Sequence, residues 1–89
     1  MAMLGFDVDR GDQSATQLTN LNTTLQDTIS KLNTQVNNLS EFWKGQDATT
    51  FVSQTWPQHK SSLENCKSAL DQLIQTLKSQ IQQQREASS

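Results

Sequence analysis

Apolar residues recur every three or four positions along most of this chain. In the first half they fall at Leu18, Leu21, Leu25, Ile29, Leu32, Val36, Leu39 and Trp43. Steps of that size keep side chains on one face of an α-helix. The stripe is narrow, closer to a coiled-coil seam than to the broad face of a surface helix. The second half repeats the pattern at Ala48, Val52, Trp56, His59, Leu63, Cys66, Leu70, Leu73, Leu77 and Ile81. Between the two lies Glu41-Phe42-Trp43-Lys44-Gly45. Gly45 suits the left-handed residue that ends a helix, and Asp47 is a natural N-cap for the next. The pattern predicts one helix over about 9–42, a turn over 43–46 and a second helix over about 47–84.

The start of the first helix is diffuse. Gly11 weakens helix before it. Asp7, Asp9, Asp12 and Ser14 are all plausible N-caps, and Ser14 with Gln17 fits a capping box. Pro57 removes one hydrogen bond from the second helix. The apolar period runs through it without a phase shift, which predicts a bend near Trp56 and not a break. Arg85 to Ser89 has nothing to pack against and is expected to fray.

The two stripes predict an all-α fold, an antiparallel two-helix hairpin. In such a hairpin the residue numbers of facing pairs add to a nearly constant value. One register places Trp43 opposite Ala48, Leu39 opposite Val52, Leu32 opposite His59, Leu25 opposite Cys66, Leu21 opposite Leu70 and Leu18 opposite Leu73. A shift of one residue adds Val36 with Trp56, Ile29 with Leu63 and Ala15 with Leu77. The agreement of independent positions supports the hairpin more than either stripe alone.

With 33% of residues apolar, the core of this single 89-residue domain is thin. Phe42, Phe51 and Ala69 lie beside the stripes and widen the apolar surface. Two hairpins packed into a four-helix bundle would cover it. The residues expected to carry hairpin and dimer packing are Phe42, Phe51, Trp56, Leu25, Ile29, Leu32, Val36, Leu39, Leu63, Leu70, Leu73 and Leu77. Homodimer and heterodimer both satisfy the pattern.

Charge and candidate chemistry narrow the function. The net charge is −2 with no basic patch, which argues against nucleic acid. No apolar run is long enough for a membrane span, and Met1 to Phe6 has neither the basic leader nor the apolar length of a signal peptide. Cys66 and His59 are the only residues of their types. They stand two turns apart, too far for a nucleophile–base pair, and cannot make a structural zinc site alone. In the seam both read as packing residues, Cys66 as a small buried thiol. Asp7, Asp9 and Asp12 lack the terminal glutamate of a calcium loop, and Gly5 and Gly11 form no phosphate-binding pattern. Gln80 to Gln84 reads as a solvated helix end. The chain is therefore expected to be no enzyme and to hold no cofactor or metal.

The chain resembles the WXG family of small helical hairpins, the early-secreted-antigen-like proteins of about one hundred residues. The likeness rests on Trp43-Lys44-Gly45 at the midpoint, a heptad-like helix on each side, Phe51 eight residues after Trp43, and Trp56 beyond it. It implies a substrate or co-secreted partner of a bacterial type VII secretion system, exported without a cleavable signal peptide. It further implies a related hairpin as dimer partner, a hexameric membrane ATPase as reader, and Trp43 and Gly45 as a turn that the machinery recognises. Many members carry a Tyr-x-x-x-Asp/Glu signal after the second helix. This chain has no tyrosine; Ile81 precedes Arg85, and Gln82 precedes Glu86, by four residues. A partner, a divergent signal or a stretch outside this sequence would then supply that function. The missing signal also admits an adaptor or targeting chaperone for a larger toxin. An unrelated coiled-coil hairpin would instead leave Trp43 unpacked or break the helix away from Gly45.

Overall fold

Asp7 starts the first helix. In the computed structural model, which describes residues 6–88, α1 runs Val8–Asn38, and the Asp7 carboxylate accepts the Arg10 backbone N–H at 3.2 Å. Of the candidate caps, Asp7 takes the role, while Asp9, Asp12 and Ser14 lie inside the helix. Gly11 does not stop it. Gly11 is buried where the helices approach closely: a Cβ there would stand 3.2 Å from Ile81 Cγ1 and 2.6 Å from Phe6 Cζ. The readings on Met1–Gly5 and on Ser89 fall outside the described residues.

The chain then narrows into a 3-10 turn, Leu39–Glu41, and reverses. The Leu39 carbonyl accepts both the Phe42 and Trp43 N–H groups, at 3.1 and 2.8 Å. The second limb begins with α2, Gln46–Thr50, widens into a π turn, Phe51–Thr55, and continues as α3, Trp56–Ser88. No strand occurs among the described residues. The all-α hairpin holds, with α1 against α3 in a rod of 66 × 16 × 14 Å.

The expected bend at Pro57 takes the form of this π turn, and it does shift the phase. Pro57 brings no N–H to the carbonyl one turn earlier. The turn before it widens instead, and the Trp56 N–H reaches back to the Phe51 carbonyl, five residues away. The widening absorbs the drift of the four-residue steps Ala48, Val52, Trp56. Beyond it, the inward rows are Trp56, Leu63, Leu70, Leu77 and Lys60, Lys67, Ile74, Ile81, each a strict seven-residue repeat. His59, Cys66 and Leu73, expected in the seam, lie one position off those rows and are exposed.

In α1 the buried row is Ala15, Asn22, Ile29 and Val36, with Ile29 only 1% exposed. Leu18, Leu25 and Leu39 are half-buried beside it; Leu21 and Leu32 are exposed. Trp56 crosses to α1 and donates its indole N–H to Asn33 Oδ1 at 2.9 Å. Asn22 Nδ2 donates to Asp71 Oδ1. These links, with Gly11 against Ile81, place the helices close to the expected register. The expected loose tail is helical through Ser88, because Arg85 pairs with Asp12 and approaches Asp9 at 3.9 Å.

Asn22 sits in the seam with its Oδ1 buried and unpartnered. An orphaned acceptor costs about 1–3 kcal/mol, and a seam asparagine commonly trades that cost for one defined register. Asn22→Leu should therefore raise stability by about 1 kcal/mol in urea melts. A variant that melts earlier than the parent would show that the Asp71 bond outweighs the orphaned oxygen.

Candidate functional site

The reversal at residues 39–48 gathers the chain's least covered aromatic surface. Its geometry begins with Gly45, which adopts φ 114°, ψ 175° and stands as the N-cap of α2. That region of backbone space is open essentially to glycine alone. Gly45 thus begins the second limb, with Asp47 one residue into the helix, where a carboxylate favours the positive end of the helix dipole. The Gly45 carbonyl accepts both the Thr49 N–H and its hydroxyl, each at 3.1 Å. On the other side, the Lys44 ammonium donates to the Ser40 carbonyl, and Ser40 Oγ to that of Asn37 at 2.8 Å. Polar side chains thus close the carbonyl ends that the reversal leaves open.

Trp43 projects from this frame. Its ring lies 5.5 Å from that of Phe51 at an interplanar angle of 53°, a tilted contact that joins the turn to the second limb and contributes about 0.5–1.5 kcal/mol. Trp43 keeps 38% of its surface exposed. Beside it runs a groove of about 310 Å³, lined among others by Lys44, Gly45, Ala48, Val52 and Ser53. Phe42 is 75% exposed. The turn therefore offers a shaped, mostly apolar surface, suited to binding a side chain.

The other sequence-predicted residues divide into two groups. Ile29, Val36 and Trp56 are buried, and Leu25, Leu39, Phe51, Leu63, Leu70 and Leu77 are half-buried. Leu32, Phe42 and Leu73 are exposed. Sequence reading missed Ile74, one of the best buried residues, and the seam positions Asn22, Asn33, Lys60 and Lys67. On the second limb the signal was the seven-residue row counted back from Ile81 through Ile74, Lys67 and Lys60; carrying the three-or-four spacing straight through Pro57 chose Leu73 over Ile74.

Among the described residues no group of three or more His, Cys, Asp or Glu side chains is placed to hold a metal ion. No described helix is long and apolar enough to cross a membrane.

Comparison with known proteins gives one match. The profile of a family described as proteins of 100 residues with WXG matches residues 6–87, nearly the whole chain. No curated protein and no solved structure matches it.

Proposed function

The chain belongs to the WXG100 family of small type VII secretion substrates, and from that membership we propose that it is a non-enzymatic secreted protein whose tip is read by the export machinery. It acts as a helical dimer, exported itself or carried with its partner. The observation that carries this reading is Trp43, held against Phe51 yet 38% exposed beside an apolar groove. A tryptophan serving the core alone would be covered, as Trp56 is. The half-covered ring supports a second role, as a contact for the membrane ATPase of the secretion system. Localisation follows from the family, as extracellular or cell-surface protein after export.

The test is export from a host carrying the system. Trp43→Ala and Gly45→Ala should reach the medium at least tenfold less than the parent, with circular dichroism still helical. Undiminished secretion of both variants removes the recognition role.

A second reading is an adaptor for a larger toxin, bound to that cargo's helical N-terminal domain. It is favoured by the absence of tyrosine from the chain, since the cargo would then carry the tyrosine signal. Co-purification with a neighbouring toxin gene product, and no export without it, would establish this reading over the first.

A further inference from the structure

Every hydroxyl that lines the groove beside Trp43 gives its proton to a helix carbonyl. Ser40 Oγ donates to Asn37, Thr49 Oγ1 to Gly45, and Ser53 Oγ to Thr49 at 2.6 Å. Each of these oxygens therefore offers a ligand only its lone pairs. Lys44, the one cation on the groove, already donates to the Ser40 carbonyl. Between Lys31 and Lys60 the other charged side chains are the acids Glu41 and Asp47, both exposed. The first N–H groups of α2 would favour an anion, but Asp47 already sets a carboxylate there.

The π turn adds one more acceptor. In α-helical spacing the Val52 carbonyl would take the Trp56 N–H, and in π spacing that of residue 57. The Trp56 N–H goes to Phe51 instead, and Pro57 has none. Val52 is half-buried and lines the groove together with Ser53. Its carbonyl is thus left without a helix donor, and a ligand that brings an N–H would satisfy it. Trp43 supplies another wall, with 38% of its surface open. An indole attracts cations more strongly than the other aromatic rings do. A groove of about 310 Å³ lies at the small end of ligand sites, room for one side chain and not for a helix.

We propose that this groove takes a single arginine side chain of the export machinery, its guanidinium over the Trp43 ring and one N–H on the Val52 carbonyl that Pro57 keeps open. The inference rests on the export reading above and gives the reader its chemistry. A guanidinium carries five N–H donors and no acceptor, stacks on aromatic faces and is more weakly hydrated than an ammonium. It matches a groove whose rim accepts and whose surroundings are acidic. A carboxylate or an aliphatic side chain leaves those acceptors unpaired. Pro57 is then a positioning residue. It does not line the groove, yet it decides which carbonyl stays free.

The experiment titrates the full chain, isotope-labelled for nuclear magnetic resonance, with N-acetyl-arginine amide. The Trp43 indole signal and the Val52 carbonyl carbon should move together and saturate. The indole signal of Trp56, buried and bonded to Asn33, should stay in place. The citrulline counterpart, alike in shape but uncharged, should bind about fivefold more weakly. Pro57→Ala gives the Val52 carbonyl a donor in either helical spacing and should weaken arginine binding about threefold. Ser53→Ala, at an exposed site that leaves the π turn alone, should weaken it about twofold. Equal binding by the citrulline or lysine counterpart overturns the guanidinium, and tighter binding by the leucine or glutamate counterpart overturns arginine as the occupant. Affinity unchanged in both variants overturns the accepting rim. If arginine leaves the Trp43 signal unmoved while Trp43→Ala still blocks export, this inference falls and the export reading stands. If arginine binds but Trp43→Ala is exported normally, the assignment to the export machinery falls.

Discussion

Trp56→Ala should unfold the hairpin at temperatures where the parent is intact, with a loss of about 3–5 kcal/mol. Among the described residues, Trp56 is the only large aromatic ring that is buried, beside Ala15, Ile29, Val36, Ala48, Ile74 and Ile81. Truncation leaves a cavity in a layer only two helices thick, and Asn33 Oδ1 loses its indole donor. An 89-residue domain has a total stability of roughly 4–13 kcal/mol, so the loss takes a large share of it. Trp56→Phe restores most of the apolar volume but not the hydrogen bond, and should cost about 1–2 kcal/mol. Urea melts followed by circular dichroism distinguish the two. An alanine variant that melts with the parent would mean that the helices are held elsewhere.

Gly45→Ala should cost about 1–3 kcal/mol, and the cause is conformational. Nothing lies within 4 Å of the position where the Cβ would be, so there is no clash to relieve. What resists the methyl group is φ 114° with ψ 175°, a backbone geometry that L-residues avoid. The mirror image of that geometry is ordinary extended backbone, comfortable for the opposite enantiomer. A synthetic chain with D-alanine at 45 should therefore melt at or above the parent, helped by its less flexible unfolded state. If L- and D-alanine destabilise equally, the backbone conformation is not what demands glycine there.

The hairpin was legible because its evidence was redundant. Eight stripe positions in the first half, together with Ala15, paired with nine in the second at registers one residue apart, and an error of one residue in a few of them left the reversal in place. The details that went astray share one physical origin. A π turn shifts the helix phase downstream, and nothing in Phe51 to Thr55 announces it except Pro57 two residues beyond. A spacing carried through Pro57 without that shift favoured His59, Cys66 and Leu73, while the backbone turned Lys60, Lys67 and Ile74 inward. The lysines tolerate this because their stems pack while their ammonium groups reach Glu64 and Asp71. At the turn, the sequence located Gly45 and Trp43 but placed the glycine at the end of the first helix. Either role satisfies the same breaker, and only the observed dihedral angles separate them.

The two ends of the rod are closed by different chemistry. At the tip the closure is covalent, a reversal held by short-range hydrogen bonds and one ring contact. At the other end Gly11 packs against Ile81 and Phe6, and the Arg85 guanidinium on Asp12, with Asp9 nearby, adds an ion pair substantially exposed to solvent. An exposed ion pair of this kind contributes about 0–1 kcal/mol and weakens as salt screens it. Ionic strength therefore acts on the hairpin as a polarised signal. It weakens the open end, where the apolar contacts of Gly11 and Ile81 remain, and leaves the Trp43 tip as it was.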